Sequence, residues 1–355
     1  MMTEFLEILK RAKTGLQMQE KDFDLLLSRK ISRLVRAYNI VFRENEIIPF
    51  ESMIADSVFY AAVDLLTEVG LYVLDTGRII SFSEDEIMDA VKNAPKEISI
   101  GKGRDIRILK HRKIEGRTPP IIFGGYAGTP ISAEYYKPTA LSYLKEPIID
   151  AISHASISKV NDLVIDSGAP SEIYATRLEM KLLREAIKEA RRPGIHVIGG
   201  ESSSTILGDL AILNSDYLRP SDAHLIWILN ELKTDYNNLG RVLGAADLGV
   251  HNVTLSNTLI GGFARNPEGV AIVSVANNIV GRLVYNASYH ITHPVHMFIP
   301  GTSNRACLWI LSVVGQALSR NTNLLSTGNV WTAFGAGTEI IFKEIAALSI
   351  VTTVS

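Results

Sequence analysis

Cysteine is almost missing. Cys307 stands alone in 355 residues, which excludes an intrachain disulfide framework and a cysteine-rich zinc or iron–sulfur site. It suits a reducing compartment such as the cytoplasm. Neither sign of charge is in excess: 36 Lys and Arg face 38 Asp and Glu. The balance gives no electrostatic case for nucleic acid or an anionic membrane as partner. Long apolar runs are missing too, since no stretch reaches the roughly 18 residues of a membrane span. The opening MMTEFLEILKRAK mixes acids with bases and has no secretory apolar stretch. What is plentiful is apolar side chain, 46% of the total, enough to fill a large core.

Charge is unevenly spread. Residues 1–118 hold 38 of the 74 charged residues, and the remaining 237 hold 36. This divides the chain into an N-terminal helical extension with a β-hairpin, 1–118, and a second part, 119–355, entered through Pro119-Pro120. In the first part, helical spacing predicts helices over Phe23–Val41 and Met53–Val69, the second closed by Gly70. LYVLDTGRIISF reads as a hairpin turning at Asp75-Thr76-Gly77. Ser83 and Glu86 form a capping box, and a strand follows near Ile98–Ile108.

The second part alternates. Strands are expected in PIIFGG (120–125), IIDAISHASIS (148–158), GIHVIGG (194–200), AHLIWILNE (223–231), NVTLSNTLIGG (252–262), ITHPVHMFIPG (291–301) and LLSTGNVWTAFG (324–335). Helices fall at Ser171–Arg191, 203–213, Val270–Leu283, Asn304–Ser319 and Thr338–Leu348. Seven such βα units predict a (β/α)₈ TIM-type barrel, an α/β fold whose last unit is missing. The runner-up is an open doubly wound sheet, but no G-x-G-x-x-G opens a helix.

His290, His293 and His296 form H-x-x-H-x-x-H. On a strand, 290 and 296 share one face and 293 the other, so three convergent zinc ligands are not expected and no metal is assigned. The glycines of 124–128 follow a strand, where backbone N–H groups can cradle an anion. Lys102, Arg104, Arg107, Lys110, Arg112, Lys113 and Arg117 cluster without interleaved aromatics. Glu201, Asn230 and Glu231 fall at strand C-termini, where barrel enzymes keep reactive groups. Cys307 falls on a helix and reads as packing.

RAKTG (11–15), VGLYVLDTGRIISFSEDEI (69–87), GGYAGTPIS (124–132), RRPGIHVIGGESS (191–203), LNELKTD (229–235), LIGGFA (259–264), SYHITHPVHM (288–297), GTSNRACL (301–308) and LSTGNVW (325–331) resemble, in order and spacing, the archaeal monomethylamine methyltransferases. The resemblance implies an oligomeric (β/α)₈ barrel that passes a methyl group from monomethylamine to the Co(I) corrinoid of a partner protein. On that reading this chain binds no cofactor itself. Its partners are a cognate corrinoid protein, a small methylated donor and further copies of the chain.

The family captures the amine on the electrophilic imine of a pyrrolysine, and Ile198 stands at the matching position. The family's two glutamates match Leu225 and Leu255, and a glutamine matches Val330. The imine, two carboxylates and an amide are thus replaced by aliphatic side chains. Together the replacements avoid stranding buried carboxylates. The expected pocket has a dry, apolar floor, with Glu201, His224, Asn230, Glu231, His290, His296 and Asn329 keeping its mouth polar. Tyr126, Trp227, Trp331 and Phe334 are the aromatics available for a cation–π contact. The expected activity is methyl transfer without pyrrolysine-dependent capture; the alternative is a catalytically inactive homologue that acts as a structural or regulatory partner. Family members continue beyond the equivalent of Ser355, so the last barrel unit is expected from a longer reading frame or another chain.

Overall fold

The computed structural model describes residues 2–202 and 204–355; Met1, and Ser203 at the expected start of the 203–213 helix, lie outside the described residues. Seven strands form one parallel sheet in chain order: Phe123–Gly125, Ala151–Ser153, His196–Gly199, Ala223–Ile228, His251–Ile260, Tyr289–His296 and Ser326–Gly328. Each pairs in parallel with the next. Helices cross over between them at Ala133–Leu144, Pro170–Glu189, Ile206–Ile212, Tyr236–Ala246, Pro267–Leu283 and Arg305–Asn321, and Ile340–Val354 follows the last strand. This is the α/β repeat of a TIM-type barrel, present as a seven-stranded half-barrel whose edges are the first and seventh strands.

The strands separate two apolar layers, because successive side chains point to opposite faces. On the fourth strand Ala223 and Leu225 join the cluster inside the sheet, while Ile226 and Ile228 join the core outside it. That outer core crosses residue 118. Helix Ser52–Val69 packs on the helices Pro267–Leu283 and Arg305–Asn321. Phe23, Leu27, Ile31 and Leu34 are buried along helix Glu20–Ala37, which begins and ends a few residues before the expected Phe23–Val41. The hairpin forms as expected from Leu71–Val73 and Arg78–Ile80. So does the capping box: the Glu86 amide donates to Ser83 Oγ at 3.2 Å, and the Ser83 amide to Glu86 Oε2 at 2.9 Å.

One local expectation needs correction, and two helices of the second part were not expected. The single strand near Ile98–Ile108 is a second hairpin, Glu97–Ile100 against Arg107–Lys110, because Gly101 and Gly103 turn the chain with φ of 72° and 60°. Helix Ala133–Leu144 carries an internal Pro138 that hides it from a sequence reading. Helix Tyr236–Ala246 contains two helix-disfavouring glycines. A Cβ on Gly240 would lie 2.5 Å from Ile206, and one on Gly244 2.7 Å from Leu210. The glycines let this helix lie close against Ile206–Ile212. Among the described residues no helix is long and apolar enough to cross a membrane.

Candidate active site

A cavity of about 690 Å³ occupies the barrel lumen and the space between its edge strands. The floor is apolar. Ile198, Leu225 and Leu255 pack in one cluster, flanked by Phe123, Trp227 and Ile291. The sheet register brings them together: Ile198 pairs with Ala223, and Trp227 with Leu255. Leu225 therefore lies two residues along the same face from Ile198's strand neighbour.

Polar groups meet this floor from the strand C-termini. Ser153, Glu201, Asn230, Asn257, His293 and Asn329 all line the cavity. Glu201 is held by its backbone, whose amide donates to His154 Nε2 at 2.9 Å. His154 is fully buried beside Glu179. Glu179 in turn accepts from the Ile157 amide and the Ser202 hydroxyl, each at 2.6 Å. Burial pushes the Glu201 carboxyl up to about 7, against the opposing pull of His154 and a hydrogen bond from Ser153. Its Oε2, Asn257 Oδ1 and His293 Nδ1 are buried and have no hydrogen-bond partner. Burial also pushes His293 down to about 4, so its imidazole is neutral. The ring stands edge-on to Trp331 with centroids 4.8 Å apart. The arrangement presents an acid poised near neutrality, an amide oxygen and a neutral imidazole over a hydrocarbon wall. It can orient a small molecule that is polar at one end, and it can exchange a proton through Glu201.

The family model for monomethylamine methyltransferase MtmB matches residues 3–355. The chain belongs to the monomethylamine methyltransferase MtmB family. It is 32% identical to monomethylamine methyltransferase MtmB2 of Methanosarcina acetivorans, over 97% of this chain and 75% of that protein. The same figures hold for MtmB of Methanosarcina mazei. The crystal structure of the Methanosarcina barkeri monomethylamine methyltransferase superposes with a TM-score of 0.93 at 31% identity, covering 98% of this chain and 76% of that one. A second solved structure, a hydroxylamine complex of MtmB, superposes equally well.

Within this MtmB-family barrel, the residues expected at the site separate by strand face. Ile198, Leu225, Leu255, Glu201, Asn230, Asn329 and Val330 line the cavity. His224, Glu231, His290 and His296 do not, which corrects the expectation that they line it. His224 turns outward, its Nε2 3.4 Å from Asp209, which also pairs with Arg241. His290 faces the helix layer, with Nδ1 2.9 Å from Thr254 Oγ1, and burial pushes it down to about 3. His296 Nδ1 accepts from the Phe298 amide at 3.1 Å. Glu231 is buried beneath Gly262, and burial pushes it up to about 7.

The alternation that turns His290 outward turns His293 into the lumen. Among the described residues no group of three or more His, Cys, Asp or Glu is placed to hold a metal ion. Of the aromatics, Trp227 and Trp331 reach the cavity, whereas Tyr126 packs in a separate core and donates to Tyr136 O at 2.8 Å. The loop after the first strand has the Ala127 and Gly128 amides committed to Ser153 Oγ and His154 O. Arg107 pairs with Asp150 at 2.6 Å, and Arg112 donates to the carbonyls of Thr118 and Thr353. Cys307 is buried, and its thiol is pushed up to about 11.

Sequence reasoning missed His293, Ser153, Asn257, His154 and Glu179 as parts of the site. Asn257 had a signal: it follows Leu255 by two residues on one strand and must share its face. His154 and Glu179 had none, since one lies in the loop after the second strand and the other on the next helix.

Proposed function

We propose that this chain is a methyltransferase that moves a methyl group from a methylated donor to the Co(I) corrinoid of a partner protein, without an electrophile at position 198. The observation that carries this reading is the convergence of Ile198, Leu225 and Leu255 on one apolar wall of the lumen, with Glu201, Asn257 and His293 lining the same cavity. The position matched to the pyrrolysine and those matched to its carboxylate partners form a single apolar patch. The cavity has nonetheless kept polar groups aimed at a ligand.

Held by its own protein, the corrinoid supplies a cobalt nucleophile. Phe298, Trp331 and Phe334, exposed beyond the sixth and seventh strands, offer an apolar rim for its approach. The chain's own contribution is to seat the donor's methyl group toward the mouth, exclude water along the floor and let Glu201 adjust its proton to the charge of the donor. In the transfer the methyl carbon leaves its heteroatom, which keeps the bonding electron pair. A donor already cationic at that atom departs as a neutral molecule and needs no covalent capture. The same reading sets the protein in the cytoplasm, as an oligomer.

The test is anaerobic spectroscopy of a corrinoid protein reduced to Co(I), mixed with this chain and a panel of methylated amines and thioethers. Loss of the Co(I) band with one donor is the expected result. No conversion with any donor, from folded protein, supports the inactive homologue instead. Conversion with monomethylamine alone refutes the argument from Ile198.

A further inference from the structure

We propose that His154 is the positioning residue for Glu201: its neutral ring seats Glu201 at the end of the third strand, and a ring that takes a second proton releases it. This rests on the reading of Glu201 as the group that exchanges a proton in the cavity, and it names what regulates that group. Both ring nitrogens are assigned by what faces them. At Nε2 stands the Glu201 amide, an N–H donor 2.9 Å away, so this nitrogen accepts and carries no proton. At Nδ1 stand two acceptors, Ala155 O at 3.0 Å and Glu179 Oε2 at 3.5 Å, so the proton sits there. Glu179 is itself fixed by the Ile157 amide and the Ser202 hydroxyl. His154 also reaches the loop after the first strand, where its carbonyl accepts from the Gly128 amide at 3.1 Å. A Cβ on Gly128 would lie 2.9 Å from Glu201 O, so the Glu201 backbone is closed in between that loop and the imidazole. The backbone so held aims a carboxyl whose Oε2 is buried and has no hydrogen-bond partner.

Ring protonation and this seat exclude each other. A proton on Nε2 would set two N–H groups face to face at hydrogen-bond distance, and the buried Glu201 amide would lose its acceptor. The groups around the ring compete over that proton. Burial opposes an imidazolium, and against it the Glu179 and Glu201 carboxylates raise His154 overall. Tyr136, on helix Ala133–Leu144, is the third titratable group at this loop. Its hydroxyl accepts from the Ala155 amide at 3.2 Å, and burial keeps it neutral. Charge on Glu201 therefore works against the seat of Glu201: the ionised carboxylate favours the imidazolium that lets its backbone go.

The experiment is nitrogen NMR of the full chain, labelled at its histidine rings and backbone amides, from about pH 8.5 down to about pH 5 with no corrinoid protein present. His154→Gln assigns the ring signals and keeps a side-chain acceptor for the Glu201 amide; His154→Leu removes it. In the wild type at the upper end of the range, the ring should be neutral with its proton on Nδ1, and the Glu201 amide protected from solvent exchange. Where the ring gains its second proton, that protection should fall about tenfold or more. His154→Gln should keep the protection throughout, and His154→Leu should lose it. A neutral ring protonated on Nε2, an imidazolium beside a still protected amide, or a ring that stays neutral to the lower end overturns the proposal. These wild-type outcomes stand even if His154→Leu does not fold. A second readout is the pH-dependent stability difference between each protein and its Glu201→Gln counterpart. The Glu201 carboxyl should still titrate at about 7 in His154→Gln and fall toward its ordinary 4.5 in His154→Leu, where it reaches water. A rise in both variants would make His154 a charge partner only and overturn the seat. Results as expected, without methyl transfer to Co(I) in the spectroscopic assay, uphold the seat and overturn the proposed activity. Transfer by a wild type whose Glu201 amide is unprotected does the reverse.

Discussion

Replacing Glu201 with glutamine isolates the energetic consequence of a buried acid. Its carboxyl titrates at about 7 in the folded chain against an ordinary 4.5. A raised acid favours the folded state only while it is neutral. Its contribution is therefore fully present below pH 4.5 and is lost as the pH rises to about 7. At roughly 1.4 kcal/mol per pH unit the loss comes to about 3 kcal/mol. Glutamine keeps the shape and does not titrate.

The wild-type curve alone does not show this, because His196 and His293 are pushed down to about 4 and His290 to about 3. Those histidines act in the opposite sense, adding stability as the pH climbs toward the unfolded imidazole's 6.5. They are common to both proteins and cancel in the difference, whereas His154, which the Glu201 carboxylate helps to raise, changes with it and is part of what the difference reads. Urea unfolding of wild type and Glu201→Gln at half-unit steps from pH 4 to 8.5 gives that difference directly. It should be flat below pH 4.5, shift toward the variant by about 3 kcal/mol by pH 7.5, and be flat again above that. Parallel curves over the whole range would show that Glu201 is hydrated and titrates normally. The acid–amide–imidazole reading of the cavity would then fall.

Tyr289→Phe removes the hydroxyl 2.9 Å from His196 Nε2, where both rings are fully buried. It should cost about 1–3 kcal/mol, read as a lower urea midpoint at unchanged slope. Gly281→Ala places a methyl 2.5 Å from Thr254 Oγ1 and 2.6 Å from His290 Nδ1. It should destabilise by about 1–3 kcal/mol, and a neutral melting temperature would show that helix Pro267–Leu283 can shift outward freely.

Much of the barrel was legible because its signals are local. Each strand is an apolar run closed by glycine or a polar turn, and each predicted βα unit is present. The helices that escaped were those whose local propensity is overruled by packing, as the glycines of Tyr236–Ala246 show. The site was legible to the extent that strand alternation fixes a face. It separates His293 from His290 and His296, and it puts Asn257 beside Leu255. Matching residues to a family motif carries no such information, so it places His224 and His290 in a pocket from which their own strands turn them away. Glu201 and Glu231 looked alike in sequence, each at a strand end. Only the tertiary arrangement sets one in the lumen and the other under Gly262.

The lumen wall also constrains how its side chains can change. Ile198 and Leu225 lie on one face of adjacent strands, separated by the Ile198–Ala223 pairing and two residues of rise, a gap that a lysine and a glutamate can bridge. Ile198→Lys alone sets an ammonium among Leu225, Leu255 and Phe123. Such an unpaired charge is expected to cost on the order of 3–5 kcal/mol. Leu225→Glu alone has a smaller cost, because a carboxyl can stay protonated in that setting. The double variant supplies each charge with its partner, so its loss should fall short of the two single losses together by about 1–3 kcal/mol. Urea unfolding of all four proteins at pH 7 measures this coupling. A coupling near zero would mean that water reaches the wall and that its residues change independently. The expected value would mean that a polar wall and an apolar wall are alternative stable states, with single replacements between them disfavoured. On that account the residues at 198 and 225 are constrained to be polar together or apolar together.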